Sequence, residues 1–299
     1  ENPGPAAAWM RLDVPMVAGE SNTPLLQAVQ AADFASGVGQ IVDMRECHVL
    51  RPELFSLVAP LRQMLASQRG RWAVDVDLTL SDQGVDCNLR HFAMEGLAAT
   101  EAALHFAQTN RLARLTADLG FGAEALWEPE PVTVTLGGMR IPLPSSAFLQ
   151  ATADGEAALV AAAREWLADS TYSADLFAGL GTFAFALPGR VAAFEGARDA
   201  YLACRTAAGR TASRVEAHHR DLSRNPLQQD ELSRFDGVLI DPPRAGAREQ
   251  VAHIASSAVS RVVYISCNPA SWAKDARTLI DAGFSLAELR PVGQFRWST

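Results

Sequence analysis

The sequence predicts an α/β chain in two parts: a smaller α+β domain over residues 1–144, then an open parallel sheet with helices on both faces over residues 145–299. Three observations carry this. A chain of 299 residues is long enough for two ordinary domains, each with its own core. Strand patterns crowd together with few helices before Pro142–Ser146. After it, strand and helix patterns alternate, and βαβ alternation specifies a parallel sheet.

The elements follow in order. The first forty residues contain Pro3, Pro5, Pro15 and Pro24, show no convincing period and read as irregular. Pro52–Ser67 places Leu54, Leu57, Val58, Leu61 and Leu65 at helical spacing, with Pro52 suited to an early helical position. Residues 72–80 alternate apolar and polar, residues 81–84 turn, and residues 85–89 alternate again, which reads as a hairpin. A helix over 98–108 precedes short strands at 114–116, 125–127, 132–136 and 139–141. The second part opens with a helix over 153–167. Strands are then expected at 173–177, 191–195, 214–217, 235–241, 261–266 and 286–289, with helices at 197–207, 248–257 and 271–281.

Composition excludes several classes. Lys and Arg number 26 against 34 Asp and Glu, a net charge of −8, which argues against a protein that coats polyanions non-specifically. Lys274 is the one lysine, so phosphate contacts fall to Arg, the better bidentate partner. No apolar run approaches the roughly 18 residues of a membrane span. The run Ala157–Ala163 is closed by Arg164 and Glu165. The N-terminus lacks the pattern of a signal peptide. Cys47, Cys87, Cys204 and Cys267 form no Cys-x-x-Cys pair, as expected of a reduced, cytoplasmic protein.

In an open parallel sheet the ligand lies beyond the carboxyl ends of the strands, so the residues there matter most. The first strand runs into Asp175-Leu-Phe-Ala-Gly179-Leu-Gly181-Thr182-Phe-Ala184. Such a glycine pattern lets backbone approach a ligand and opens a helix N-terminus. It suits a nucleoside cofactor, a dinucleotide, or simply a helix packed tightly on a sheet. The second strand ends at Glu195, where a carboxylate can accept from a ribose diol. The fourth delivers Asp241 into the cleft, followed by Pro242 and Pro243, which stiffen the turn, and by Arg244, a candidate phosphate contact. The fifth ends in Ser266-Cys267-Asn268-Pro269. A cysteine on a strand is commonly a small buried apolar residue. At the ligand rim, its thiolate would be a potent nucleophile.

Together, Asp175–Phe183, Asp241–Gly246 and Ser266–Pro269 resemble the signatures of the S-adenosylmethionine-dependent RNA (uracil-C5)-methyltransferases. Phe148-Leu-Gln150-Ala-Thr152 is similar to that family's Phe-x-Gln-x-Asn element, with Thr152 in place of Asn. The resemblance covers about half the chain. It implies a Rossmann-like class I methyltransferase domain and methyl transfer to C5 of a uridine in structured RNA, rRNA or tRNA. Cys267 would be the nucleophile. Gln150, Phe177, Thr182, Glu195, Asp221 and Asp241 would form the S-adenosylmethionine pocket, with Glu195 on the ribose and Asp221 on the adenine side. Asp241 and Gln150 would also reach the uracil edge. Cytosine-C5 enzymes carry a further Cys in the fourth-strand turn, where this chain has Pro243 and Arg244, so uracil is favoured. A monomer working on RNA away from any membrane is implied.

Two departures bear on this. The family's proton-abstracting Glu lies in a Thr-x-His-Val-Glu-like segment, and this sequence stops at Arg296-Trp-Ser-Thr299, where that segment would begin. The base is therefore expected beyond Thr299. Upstream, Arg45–Leu54 is similar to the segment that holds the last of four cysteine ligands in members with a [4Fe–4S] cluster. That makes Cys47 a candidate ligand, or a packing residue if no cluster forms. Cys87 and Cys204 read as packing residues, and His218-His219 as a solvated loop. Competing readings are an RNA-binding relative without turnover and a dinucleotide-dependent oxidoreductase.

Overall fold

The computed structural model describes residues 7–13, 45–47, 50–66, 73–92, 94 and 96–293. The expected irregular stretch over 14–40 and the C-terminal Arg296–Thr299 lie outside them. The chain divides into two compact units. One comprises Glu1–Thr133, Leu149–Asp154 and Gln294–Thr299; the other comprises Val134–Phe148 and Gly155–Gly293.

The first unit is built on a five-stranded sheet of β1 (Ala7–Asp13), β2 (Ala73–Ser81), β3 (Gly84–Arg90), β4 (Arg114–Asp118) and β5 (Ala123–Trp127), adjacent in that order. Neighbours are antiparallel except β3 and β4, which run parallel because α3 (Leu97–Thr109) crosses between them. β1 corrects the irregular reading of the N-terminus: β2 supplies its pairing, Ala7 opposite Thr79 through Asp13 opposite Ala73. The expected helix over Pro52–Ser67 is two helices, α1 (Pro52–Phe55) and α2 (Val58–Ala66). The break costs no burial, because Leu54, Leu57, Val58, Leu61 and Leu65 all enter one core with Val76, Leu78, Cys87, Leu89 and Leu115.

The other residues of β3 and β4 form a polar ladder. Arg114 donates to both Asp86 carboxylate oxygens at 2.8 and 2.6 Å. Thr116 donates to Asn88 at 2.7 Å. All four residues are buried, so the ladder exchanges water for matched partners.

The second unit carries a small hairpin of β6 (Thr133–Leu136) and β7 (Met139–Pro142), turned at Gly137 and Gly138, both with positive φ. Its main sheet is wholly parallel: β8 (Tyr172–Leu176), β9 (Arg190–Glu195), β10 (Val215–His219), β11 (Gly237–Ile240) and β12 (Arg261–Tyr264), in the order β10-β9-β8-β11-β12. Strand order reverses beside β8, which makes the β8/β11 boundary the switch point where such sheets open a crevice. Ala174, Leu176, Phe194, Val238 and Ile240 share one core with Leu232 of α6 (Gln229–Leu232), Val251 and Ile254 of α7 (Arg248–Ala255) and Leu279 of α8 (Pro269–Asp281). Ser173 and Asp175 alternate with Ala174 and Leu176 and so face the opposite side. Cys204 of α5 (Arg198–Ala208) lies there, its thiol pushed up by burial and by the Asp175 charge to about 12. The helix α4 (Ala153–Trp166) precedes the sheet.

Two expectations for this unit need correcting. Residues 286–289 form no strand, and Leu286 and Leu289 remain exposed. The glycine loop opens no regular helix: residues 179–186 form successive turns, closed by Phe185 N–H to the Gly181 carbonyl and Leu187 N–H to Phe183.

Candidate active site

The site is assembled from loops at the carboxyl ends of the parallel strands. Glycine governs the first loop. Phe177 itself adopts φ 62°, a left-handed conformation that a bulky residue enters at a cost of about 1–3 kcal/mol and that clusters at functional loops. A side chain at Gly179 would meet nothing within 4 Å, so the loop borders open space there. Gly181 answers a different need. A Cβ at this position would lie 2.6 Å from the Phe185 ring and 3.1 Å from Cys204 Sγ. Thr182 follows, half-buried.

Glu195 ends β9 and fastens this loop. Its carboxylate accepts the Gly179 N–H at 2.8 Å and the Ala197 N–H at 2.5 Å. Gly196 then lets β10 come close, since a Cβ there would lie 3.1 Å from Asp221 Cα. Glu195 and Asp221 are thus neighbours at adjacent strand ends. Asp221 is exposed and accepts the Ser223 N–H at 3.0 Å. His218 and His219 are exposed, as expected, but end β10 instead of lying in a loop. His218 stacks on Phe194 at 4.8 Å, and burial holds its pKa below the usual histidine range. His219 stacks on Tyr201 at 5.0 Å and contacts the Gly196 carbonyl through Nε2 at 3.0 Å.

Two carboxyls in this region have no cation beside them among the described residues. Asp175, fully buried within β8, has no hydrogen-bond partner for either oxygen among the described residues. Burial first, then the Asp241 charge, pushes it up to about 8, partly offset by the Ala184 backbone. Burial raises Asp241, just beyond β11, to about 7. Both can therefore be protonated near neutrality, and an arriving positive charge would favour their ionised forms.

The turn from Asp241 to Ala247 is tied to the segment that carries Cys267. The Arg244 carbonyl accepts from Asn268 Nδ2 and from Ser271 Oγ, both at 3.0 Å. Asn268 also caps α8, its Oδ1 accepting the Ala270 N–H at 3.1 Å. Cys267 itself is exposed, so the reading of a small buried residue does not apply to it. Cys87 and Cys204 are buried, in keeping with packing roles.

The second unit therefore gathers Phe177, Thr182, Glu195, Asp221, Asp241 and Cys267 at one end of its sheet. Gln150, half-buried, belongs to the Leu149–Asp154 segment of the first unit. A shallow pocket lined by Ser170, Thr171, Gly189, Arg190, Ser213 and Arg214 lies at the opposite, amino end of the strands, away from these groups. Cys47 is half-buried and accepts the Leu50 N–H at 3.3 Å. No three His, Cys, Asp or Glu side chains gather as a metal site among the described residues. Sequence reasoning missed Asp275 and gave Asp175 no role. The available signals were a carboxylate inside an apolar strand and another on the buried stripe of a helix, four residues before Leu279.

The chain is similar to known RNA methyltransferases. The tRNA (uracil-5-)-methyltransferase family matches residues 207–297, which include both Asp241–Gly246 and Ser266–Pro269. An RNA methyltransferase of Zymomonas mobilis is 50% identical over 262 residues, 87% of this chain and 66% of that protein. The 23S rRNA (uracil(1939)-C(5))-methyltransferase RlmD of Edwardsiella ictaluri is 33% identical over 264 residues, 85% of this chain and 60% of that protein. The chain thus spans just under two thirds of the length of the curated relatives it matches. A Pyrococcus abyssi tRNA (uracil-54, C5)-methyltransferase, solved with S-adenosyl-L-homocysteine, superposes with a TM-score of 0.66 at 18% identity. The superposition covers 92% of this chain and 69% of that one, and it establishes a common fold.

Proposed function

We propose, since the chain belongs to the tRNA (uracil-5-)-methyltransferase family, that it transfers a methyl group from S-adenosylmethionine to C5 of a uridine in structured RNA. The single observation that carries this reading is the exposed Cys267, tied through Asn268 to the turn that follows Asp241. In this reading residues 145–299 are the catalytic domain and residues 1–144 face the RNA. The protein acts as a monomer in the cytoplasm. No helix among the described residues is long and apolar enough to cross a membrane.

The residues fit the cofactor. Phe177, Thr182 and the open side of Gly179 would line its path, Glu195 would accept from the ribose, and Asp221 would stand on the adenine side. Asp241 would meet it near the base. A sulfonium suits a pocket where the buried Asp175 and the half-buried Asp241 have no cation beside them among the described residues. S-adenosylmethionine supplies the electrophilic methyl group.

Cys267 supplies the nucleophile. C5 of uracil is too weak a nucleophile to take a methyl unaided. The Cys267 thiolate adds to C6, and the C5–C6 π pair moves to C5 and O4 as an enolate. C5 would use that electron pair to take the methyl as the methyl–sulfur bond breaks, the sulfonium leaving as neutral S-adenosylhomocysteine. A base then removes the C5 proton, the double bond re-forms and the thiolate leaves C6. The attack requires the uridine to be turned out of its stack. Cys47 has no part in these steps.

The test is full-length protein incubated with labelled S-adenosylmethionine and uridine-containing transcripts, followed by nucleoside mass spectrometry. Wild type is expected to yield 5-methyluridine, and Cys267→Ala to lose more than about a thousandfold in rate with unchanged thermal stability. Wild-type rates from Cys267→Ala, or a methylated product other than 5-methyluridine, would overturn the reading.

A further inference from the structure

The structure assigns Asp275 as a positioning residue that locks the turn bearing Asp241 to the segment bearing Cys267, an inference that rests on the reading above. Asp275 lies on the inward face of α8 and is 4% exposed. Its Oδ2 accepts the Ala247 N–H at 2.8 Å and the Tyr264 hydroxyl at 2.6 Å. One oxygen thereby joins three segments: the end of the Asp241 turn, the end of β12 just before Cys267, and the helix just after it.

The approach is close enough to dictate sequence. Gly246 has φ +84°, and a Cβ there would stand 2.7 Å from Asp275 Oδ2. The glycine that ends the Asp241–Gly246 motif is therefore explained by a carboxylate almost thirty positions later. Asn268 and Ser271 add a second tie, both donating to the Arg244 carbonyl. Both ties end in charge-assisted or paired hydrogen bonds, which hold geometry better than single neutral ones. None of these side chains need touch RNA or cofactor. Their work is to keep the nucleophile and the cofactor-side carboxyl in one register, and a misplacement of about 1 Å between reacting groups can cost a hundredfold in rate.

The experiment compares full-length wild type with Asp275→Ala, Asp275→Asn and Tyr264→Phe in three measurements: steady-state methyl transfer, S-adenosylhomocysteine affinity by calorimetry, and the rate of Cys267 alkylation by iodoacetamide, read on its own peptide. Asp275→Ala is expected to lower kcat about a hundredfold while cofactor affinity stays within about threefold. Asp275→Asn, which can still offer one oxygen to both donors, is expected to recover most of that loss. Tyr264→Phe removes a single hydroxyl and covers the case of an Ala variant that does not fold; its expected loss is about fivefold, in kcat alone. Bound S-adenosylhomocysteine is expected to change wild-type Cys267 alkylation by about threefold or more, and this coupling disappears in Asp275→Ala.

Wild-type kcat in both Asp275→Ala and Tyr264→Phe overturns the assignment. So does an equal loss of kcat, cofactor affinity and cooperative melting, which would mark a purely structural role. If wild type transfers no methyl to RNA, the functional reading fails, and the lock stands or falls on alkylation alone: coupling that persists in both variants, or that is missing in wild type, sinks it.

Discussion

Asp86 of the first unit is 3% exposed and takes both arms of Arg114, while Asp175 of the second is 0% exposed and takes no partner among the described residues. Both sit inside strands of five-stranded sheets, at comparable depth. Glu128 adds a second carboxylate 3.8 Å from Arg114, whereas the charged groups that act on Asp175 are the carboxyls of Asp241 and Glu195, with only the Ala184 backbone opposing them. Natural folds satisfy buried charge wherever nothing else will. A buried carboxyl with no cation beside it, at a strand end next to a glycine loop, is the kind of group that clusters at functional sites.

The contrast can be broken most forcefully at the paired site. Arg114→Ala leaves Asp86 buried without its cation, and the expected cost is about 3–5 kcal/mol, read as a lower urea midpoint. A loss below about 1 kcal/mol would mean that the ladder is decorative, since even surface pairs reach that figure.

The unpaired site should behave in the opposite way. Asp175 is raised from 3.8 to about 8 in the folded chain, so the folded state holds a proton that the unfolded state gives up. This contribution to stability is complete below about pH 4 and is lost as pH rises toward 8 and beyond. Asp175→Asn mimics the protonated form throughout. It should leave stability unchanged near pH 4 and raise it by about 1–3 kcal/mol near pH 8–9, measured by denaturation across that range. Destabilisation at pH 9 would show that the carboxylate has a partner after all.

The smallest effect belongs to a residue that neither sheet needs. Phe121, between Gly120 and Gly122 at the tip of the β4–β5 hairpin, is 97% exposed. Phe121→Ala should shift the melting free energy by less than about 0.5 kcal/mol, and a larger loss would place it in a core that the structure does not give it.

Much of this was legible beforehand because the second unit states its topology in its periodicity. Strands β8 to β12 and the helices α5, α7 and α8 fall within a few residues of expectation, while α6 was not expected, and the apolar runs ending at Asp241 and near Cys267 announce their own strand ends. What escaped was decided by partners distant in sequence. β1 exists by pairing with β2, a fact no local pattern contains. Residues 286–289 have the apolar character of a strand but no place in the sheet, and the segment is instead fastened by Arg290 to Glu165, Glu288 and Trp166. The turns after Gly179 replace a helix because Phe185 folds back onto Gly181. Asp275 stayed hidden for the same reason. Its meaning lies in Ala247 and Tyr264, which the sequence lists elsewhere.

The order β10-β9-β8-β11-β12 also has a consequence in time. The strand that begins the sheet becomes its centre, and it gains its second neighbour only when Gly237 arrives opposite Ser173. Such non-local pairing is slow, because a long loop must close before any contact rewards it. The loops at the strand ends cannot meet until that closure is complete. A partly folded chain should therefore have little affinity for a nucleoside ligand, and ligand binding would report the last steps of folding and draw them to completion by mass action.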